Sequence, residues 1–226
     1  MKELIEKILA YLPQYLTDFG SLISGPKRFM AEKNTKAEDT FVQSLVFLGV
    51  SLVLVVVMTA PLLPPGKDLW TYLVAEAVMF LLGVSLYAVA LRVAWRLVGG
   101  KATVRSFFVT YAYFFGALVV VITVFMLLSE GVFKVLAPDL YAQVIEAKLN
   151  KQPMPDVSGS SVPLVSFFIL VVGFFLGSVW GFVAWGAYRQ LNDLSKWRSF
   201  VALMISGLLA WPIAAVMFFV ESAMMK

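Results

Sequence analysis

The sequence predicts an all-α, polytopic membrane protein: a five-transmembrane-helix bundle with an N-terminal amphipathic helix and a short extracytoplasmic helix. Composition is the first reason, because 61% of the 226 residues are hydrophobic and only 14% are charged. Soluble domains contain roughly 45–50% apolar and about 25% charged residues. Apolar runs are the second reason. A helix needs about 20 residues to cross the hydrocarbon core of a bilayer, and five runs in this chain reach that length.

The predicted spans form one membrane domain over residues 40–222. They cover residues 41–63, 69–91, 106–129, 163–188 and 199–220, and the second of them contains the one charged residue, Glu76. Pro212 lies inside the fifth run and is expected to kink that helix, because proline removes a backbone hydrogen bond.

The N-terminal region, residues 1–39, is predicted to be a cytoplasmic amphipathic lead. One helical face of residues 2–16 is apolar and the other carries acids and bases in alternation, which is unlike a signal peptide. The apolar face consists of Leu4, Ile5, Ile8, Leu9, Leu12, Tyr15 and Leu16, and a second apolar set consists of Phe19, Leu22, Ile23, Pro26, Phe29 and Met30. Two interpretations stay open: contact with the membrane interface or a partner, or a cover over the end of the bundle. Thr40 or Asp39 is expected to cap the first span.

The longest connection, residues 130–162, is predicted to be an extracytoplasmic loop. Residues 138–150 have the composition of a short surface helix. The stretch KQPMPDVSGSS that follows is typical of a flexible tether, because proline, glycine and serine disfavour regular structure.

The distribution of Lys and Arg predicts which way the chain crosses the membrane. The N-terminal segment carries six of these residues, the second connection four and the fourth connection three, so one side has thirteen and the other five. Cytoplasmic loops carry the excess of Lys and Arg. The N-terminus is therefore predicted to be cytoplasmic and the C-terminus extracytoplasmic.

Two of the basic connections resemble each other. AWRLVGGKATVRSF (94–107) and AYRQLNDLSKWRSF (187–200) align without a gap, and each joins an inward-running helix to an outward-running one. A duplicated helical hairpin in parallel orientation explains the similarity. Two independent turns that obey the same charge rule explain it equally well. The glycine pair in the first copy is predicted to end its helix as a C-terminal cap.

Two features inside the spans are candidate functional residues. Gly173, Gly177 and Gly181 form a double GxxxG pattern in the fourth span, which lets another helix approach closely, either within the chain or from a second copy. Glu76 lies about two turns from the outer surface, where an ionised carboxylate is costly and therefore a functional candidate. The alternative is a carboxylate that is neutral, hydrated or paired with the outer loop.

Catalytic and metal-binding motifs are missing from the sequence. There is no Cys and no His, which removes thiolate and imidazole ligands and nucleophiles. VGGKAT lacks both the first glycine and the Ser or Thr of a phosphate-binding loop. We therefore expect no enzymatic activity, no bound cofactor and no nucleic-acid partner.

A resemblance rests on the lead that ends in Gly25, Pro26, Lys27, Arg28 and Phe29, on five spans with the N-terminus inside, and on GGKATVRSFF at the third span. With these features the chain resembles the YIP1 family, and it is most similar to the short prokaryotic members. The resemblance implies a non-enzymatic integral protein of a prokaryotic cell (inner) membrane. Eukaryotic members bind small GTPases and membrane proteins in vesicle traffic, so it also implies a protein partner of that kind.

The predicted function is to organise or recruit partners at a membrane. The predicted cytoplasmic contact face consists of Gly25, Pro26, Lys27, Arg28, Arg96, Lys101, Arg105, Arg189, Lys196 and Arg198. The alternative is a transporter or channel for ions, small molecules or lipids, in which Glu76 and the glycines of the fourth span line the pathway. A subunit of a bioenergetic enzyme is a third alternative, disfavoured because a haem ligand of the His type is missing. Self-association also stays open.

Overall fold

The computed structural model describes residues 2–35, 37–60, 69–149, 152–156 and 159–224. Eight α-helices account for the regular structure in these ranges, and no strand occurs there. They are α1 (Lys2–Ser24), α2 (Pro26–Thr35), α3 (Ala37–Thr59), α4 (Leu69–Leu97), α5 (Val104–Leu136), α6 (Pro138–Leu149), α7 (Val162–Asn192) and α8 (Lys196–Met224). The predicted all-α class is confirmed.

Five of the helices in the described ranges are long and apolar enough to cross a membrane. The candidate spans are Thr40–Thr59, Trp70–Leu97, Val104–Leu136, Val162–Asn192 and Lys196–Val220. Each predicted span falls on one of them, although residues 61–63 of the first predicted span lie outside the described residues. Most of the helices extend past the apolar runs, as α4 does to Leu97 and α5 to Leu136. The chain is thus a multi-pass membrane protein.

The start of α3 differs from the prediction. The helix begins at Ala37, so Thr40 and Asp39 both lie inside it rather than at its N-cap. The hydroxyl of Thr40 instead donates a hydrogen bond to the backbone oxygen of Lys33, 2.8 Å away. The capping prediction is therefore wrong, because Thr40 satisfies a carbonyl near the end of α2 and does not cap α3.

Proline and glycine separate α1 from α2. Pro26 is the first residue of α2, a position that proline tolerates because the first helical N–H groups have no helical acceptor. Hydrogen bonds from Gly25 to Ser21 and from Phe29 to Gly25 continue the helical pattern around the break. The predicted lead is consequently two helices in succession.

The helix ends at the two basic turns are capped in the same way. Gly99, at a φ of 96°, ends α4, and Asp193, at a φ of 51°, ends α7. The glycine cap predicted for α4 is thereby confirmed. Hydroxyl groups cap the helices that follow, because Thr103 accepts from the N–H of Ser106 and Ser195 from that of Arg198. Six residues (98–103) separate α4 from α5, and three residues (193–195) separate α7 from α8. The similarity of the two turns therefore does not extend to the length between their helices.

The chain forms two compact units. The first consists of residues 1–120 and 180–226, and the second of residues 121–179. In the first unit α4 packs along α8, while α1, α2 and α3 contact one another. Its largest fully buried side chains are those of Trp95, Tyr113, Phe107 and Leu22. Its core therefore combines residues of the spans with residues of the lead.

The lead packs its apolar residues into the first unit. Tyr15, Leu22, Phe29 and Met30 are all buried, whereas Leu16 is 59% exposed. The side chains of Leu4, Ile5, Ile8 and Leu9 lie outside the described part of the structure. The second half of α1 and α2 therefore contact other helices of this unit, α3 among them.

The second unit contains α5 from residue 121 onward, the short helix α6 and α7 as far as residue 179. The predicted surface helix is found as α6, with residue 150 of the prediction outside the described residues. The Tyr141 hydroxyl donates a hydrogen bond to Glu130, which is the main cause that raises the Tyr141 pKa to about 12. The Ser129 hydroxyl donates to the backbone oxygen of Ser166. These contacts join the three helices within this unit.

Candidate functional site: the basic turns and the α1–α3 cleft

The two basic turns contact each other through Asn192. Its side chain is 2% exposed. Its Oδ1 accepts a hydrogen bond from the N–H of Ala102 at 3.2 Å, and its Nδ2 donates to the backbone oxygen of Tyr188 at 2.9 Å. One buried amide thus fixes the first turn to the end of α7.

Five cations on these turns are exposed at the same end of the first unit. We call this set the basic platform, and it consists of Arg96, Lys101, Arg105, Lys196 and Arg198. Arg105 lies over the ring of Phe41, with 5.5 Å from its guanidinium carbon to the ring centroid. Arg189, also predicted as a contact residue, is only half-exposed.

The predicted contact residues of the lead fall into two groups. Pro26 is buried and Gly25 half-buried, so neither presents a broad surface. Lys27 and Arg28 are exposed. The Lys27 side chain lies against Gly186 of α7, where an added Cβ would overlap it. Arg28 pairs with Glu32 one turn later at 2.9 Å.

Aligned residues of the two turns meet in the core of the first unit. The rings of Trp95 and Tyr188, which occupy the same place in the two sequences, lie 6.0 Å apart between centroids. Contact between equivalent residues is what a two-fold axis through a duplicated hairpin produces. The aligned pair at the other end of the two sequences differs, however, because Phe107 is fully buried and Phe200 is 41% exposed. The duplication stays a hypothesis.

A cleft of about 770 Å³ opens between the three N-terminal helices. We call it the α1–α3 cleft. Its lining comes from α1 (Tyr11, Gln14, Tyr15, Thr17, Asp18, Ser21), α2 (Phe29, Glu32, Lys33) and α3 (Thr40, Val42, Gln43, Val46, Phe47). Small-molecule sites have volumes of roughly 300–1,000 Å³. The cleft thus has the size of a ligand site.

An ion pair lies in the wall of this cleft. Lys33 Nζ is 2.9 Å from Asp18 Oδ2, and the two side chains are 16% and 11% exposed. Gln14 donates to the other oxygen of Asp18, and Lys33 also donates to Gln43. One pair of opposite charges therefore connects all three helices of the cleft.

Aromatic rings surround the lysine of that pair. Lys33 Nζ lies 5.3 Å from the centroid of Phe29 and 5.5 Å from that of Tyr113, within the range of a cation–π contact. The Tyr113 hydroxyl is buried and lies near Asp18. Burial raises the pKa of Tyr15 above its usual 10, although its hydrogen bond with Ser51 acts in the opposite direction.

The candidate residues inside the spans have different surroundings. Glu76 is half-buried in α4 and interacts with other groups of the chain. Gly173 packs against Phe125, because an added Cβ would lie 2.5 Å from that ring. Gly181 has no described atom within 4 Å of the same position, and Gly177 is half-buried. The close helix approach of the glycine pattern is therefore seen at Gly173 but not at Gly181.

Sequence reasoning missed the α1–α3 cleft. Asp18 and Lys33 lie 15 residues apart on different helices, and neither belongs to a motif. The available signal was the presence of these polar residues within the apolar sets of the lead. Among the described residues, no group of three or more His, Cys, Asp or Glu side chains is placed to hold a metal ion.

Comparisons with known proteins give no family for this chain. No protein-family model, no curated protein and no solved structure matches it.

Proposed function

We propose that this chain is a non-enzymatic membrane protein that recruits an acidic segment of a partner protein to the cytoplasmic face of a membrane. The basic platform is the contact surface. A role of the YIP1 type, including a partner related to small GTPases, is part of this proposal and rests on the sequence resemblance. The orientation rests on the thirteen Lys and Arg at this side against five at the other.

The observation that carries the proposal is the hydrogen bond between Asn192 and Ala102. It fixes two cationic turns that are otherwise far apart in sequence, so their charges have a defined spacing. A fixed surface binds with a smaller entropy loss than flexible loops. Turns that served only to orient the spans would need positive charge but no contact with each other.

An exposed aromatic residue adds an apolar contact to the basic platform. Trp197 is 73% exposed beside Lys196 and Arg198, and its ring stacks on Phe200. Trp and Arg are the residue types that most often dominate the binding energy of protein interfaces. An acidic segment that also presents apolar side chains matches this combination.

Photo-crosslinking in native membranes tests the proposal. A crosslinking phenylalanine analogue replaces Trp197 in one variant and Trp211, which is 80% exposed on the same helix, in the control. We expect a recurrent protein adduct at position 197 and lipid adducts at position 211. The protein adduct should fall at least about fivefold when Lys101→Glu and Arg198→Glu are combined, because close like charges repel. The proposal would be contradicted by lipid adducts alone at both positions, or by a protein adduct whose yield is unchanged by the charge reversal.

A further inference from the structure

We infer that the α1–α3 cleft binds the head group of a zwitterionic phospholipid that carries a primary ammonium beside its phosphate. This site is separate from the basic platform, and the inference does not depend on the proposed function. It rests on the charges, the aromatic wall and the position of the cleft.

The charges of the cleft select for a zwitterion. Asp18 and Lys33 compensate each other at 2.9 Å and are mostly buried, while Glu32, also in the lining, is exposed and pairs with Arg28. A ligand with only negative charge is attracted by Lys33 but repelled by Asp18. A ligand with only positive charge is attracted by Asp18 but repelled by Lys33. A ligand with both charges offers a phosphate to Lys33 and an ammonium to Asp18, so each buried charge keeps an opposite partner.

The hydrogen-bonding groups favour a primary ammonium over a quaternary one. Each oxygen of Asp18 accepts one hydrogen bond, from Gln14 and from Lys33, and an ionised carboxylate has further acceptor capacity for N–H donors. A trimethylated ammonium has no N–H and is usually held by aromatic rings. Here the rings of Phe29 and Tyr113 already contact Lys33. An ethanolamine head group therefore fits this wall better than choline.

The position of the cleft indicates a lipid rather than a soluble zwitterion. Thr40, Gln43 and Phe47 line it, and they belong to the first turns of the candidate span Thr40–Thr59. The start of a span lies at the level of the lipid head groups. Tyr11 and Val42, also in the lining, are 52% and 61% exposed, which gives an acyl chain an apolar exit from the cleft.

Native mass spectrometry of the full-length protein in detergent tests this inference. The protein is mixed with equal amounts of phosphatidylethanolamine, phosphatidylcholine and phosphatidylglycerol. We expect phosphatidylethanolamine to be retained about tenfold more than the others, the ratio that one charge-assisted hydrogen bond supplies. Soluble phosphoethanolamine should displace it only weakly, because it lacks the acyl chains. Equal retention of the three lipids, no retained lipid, or ready displacement by phosphoethanolamine would overturn the inference.

Variants locate the lipid within the molecule. Asp18→Asn should abolish the preference, whereas Asp139→Asn, an exposed acid on α6, should not. If Asp18→Asn fails to fold, a second pair of variants tests whether the lipid lies in the cleft. Val42→Trp fills the mouth of the cleft, and Val57→Trp is its control, because both valines lie on α3 and are 61% exposed. Retention should fall severalfold for Val42→Trp alone, and equal retention by the two variants would place the lipid elsewhere.

Discussion

The side-chain oxygen of Asn192 accepts a hydrogen bond from the backbone N–H of Ala102, a residue 90 positions earlier in the chain. The same side chain also donates to Tyr188 in its own helix. A single amide therefore connects two turns that the sequence presents as separate basic segments. The spacing of the basic platform depends on this contact.

Asn192→Ala should destabilise the protein by about 1–3 kcal/mol, because it leaves the buried N–H of Ala102 without its acceptor. Thermal and denaturant unfolding in detergent measure the loss. Gln190→Ala, an exposed change on the same helix, is the control and should have little effect. Equal stability of the two variants would show that the contact does not hold the turns together.

Gly100→Ala should also destabilise the first turn. An added Cβ would lie 2.6 Å from Asn192 Oδ1 and 2.7 Å from the backbone oxygen of Trp95. Overpacking of this kind costs typically about 1–3 kcal/mol. Gly207→Ala is the control, because no described atom lies within 4 Å of its added Cβ. In the middle of α8 it should be neutral or stabilising by up to about 1 kcal/mol, and the order of the two melting temperatures checks the prediction.

Asp18 and Lys33 should be strongly coupled. Asp18→Asn or Lys33→Met alone leaves one buried charge unpaired, which typically costs about 3–5 kcal/mol. The double variant should lose less than the sum, as a double-mutant cycle of unfolding free energies would show. The exposed pair Arg28–Glu32 is the control, with side chains 88% and 63% exposed, and its coupling should be at most about 0.5 kcal/mol. Similar coupling in both pairs would mean that Asp18 and Lys33 are screened by solvent.

The spans were predictable because membrane helices follow from local composition. A run of about 20 apolar residues satisfies its own backbone hydrogen bonds as a helix whatever its neighbours are. The glycine cap at Gly99 was predictable for the same local reason. The ion pair of Asp18 with Lys33 and the contact of Asn192 with Ala102 were not, because both join different helices and depend on how those helices pack. Thr40 failed as a cap because α3 begins at Ala37, four residues before the start of its apolar run at residue 41.

Glu76→Gln separates recruitment from transport. Gln is nearly isosteric with Glu. If the protein recruits partners, the substitution should therefore leave folding, abundance and crosslinking at position 197 unchanged. If Glu76 takes part in transport, it must ionise or bind a cation, so the variant should fold and yet lose proton-coupled flux in reconstituted vesicles. We predict an unchanged variant. A folded variant that has lost the cellular phenotype would favour the transporter.

The most direct test of the account is the side of the membrane on which the basic turns lie. One reporter is inserted at Lys101 and is active only in the cytoplasm, and a second is fused after Lys226 and is active only outside it. The excess of Lys and Arg at the turns and the five spans together predict activity of both reporters. Swapping the two reporters should silence both positions. Activity of the cytoplasmic reporter after Lys226, or of the external reporter at Lys101, would contradict the orientation and with it the cytoplasmic contact surface.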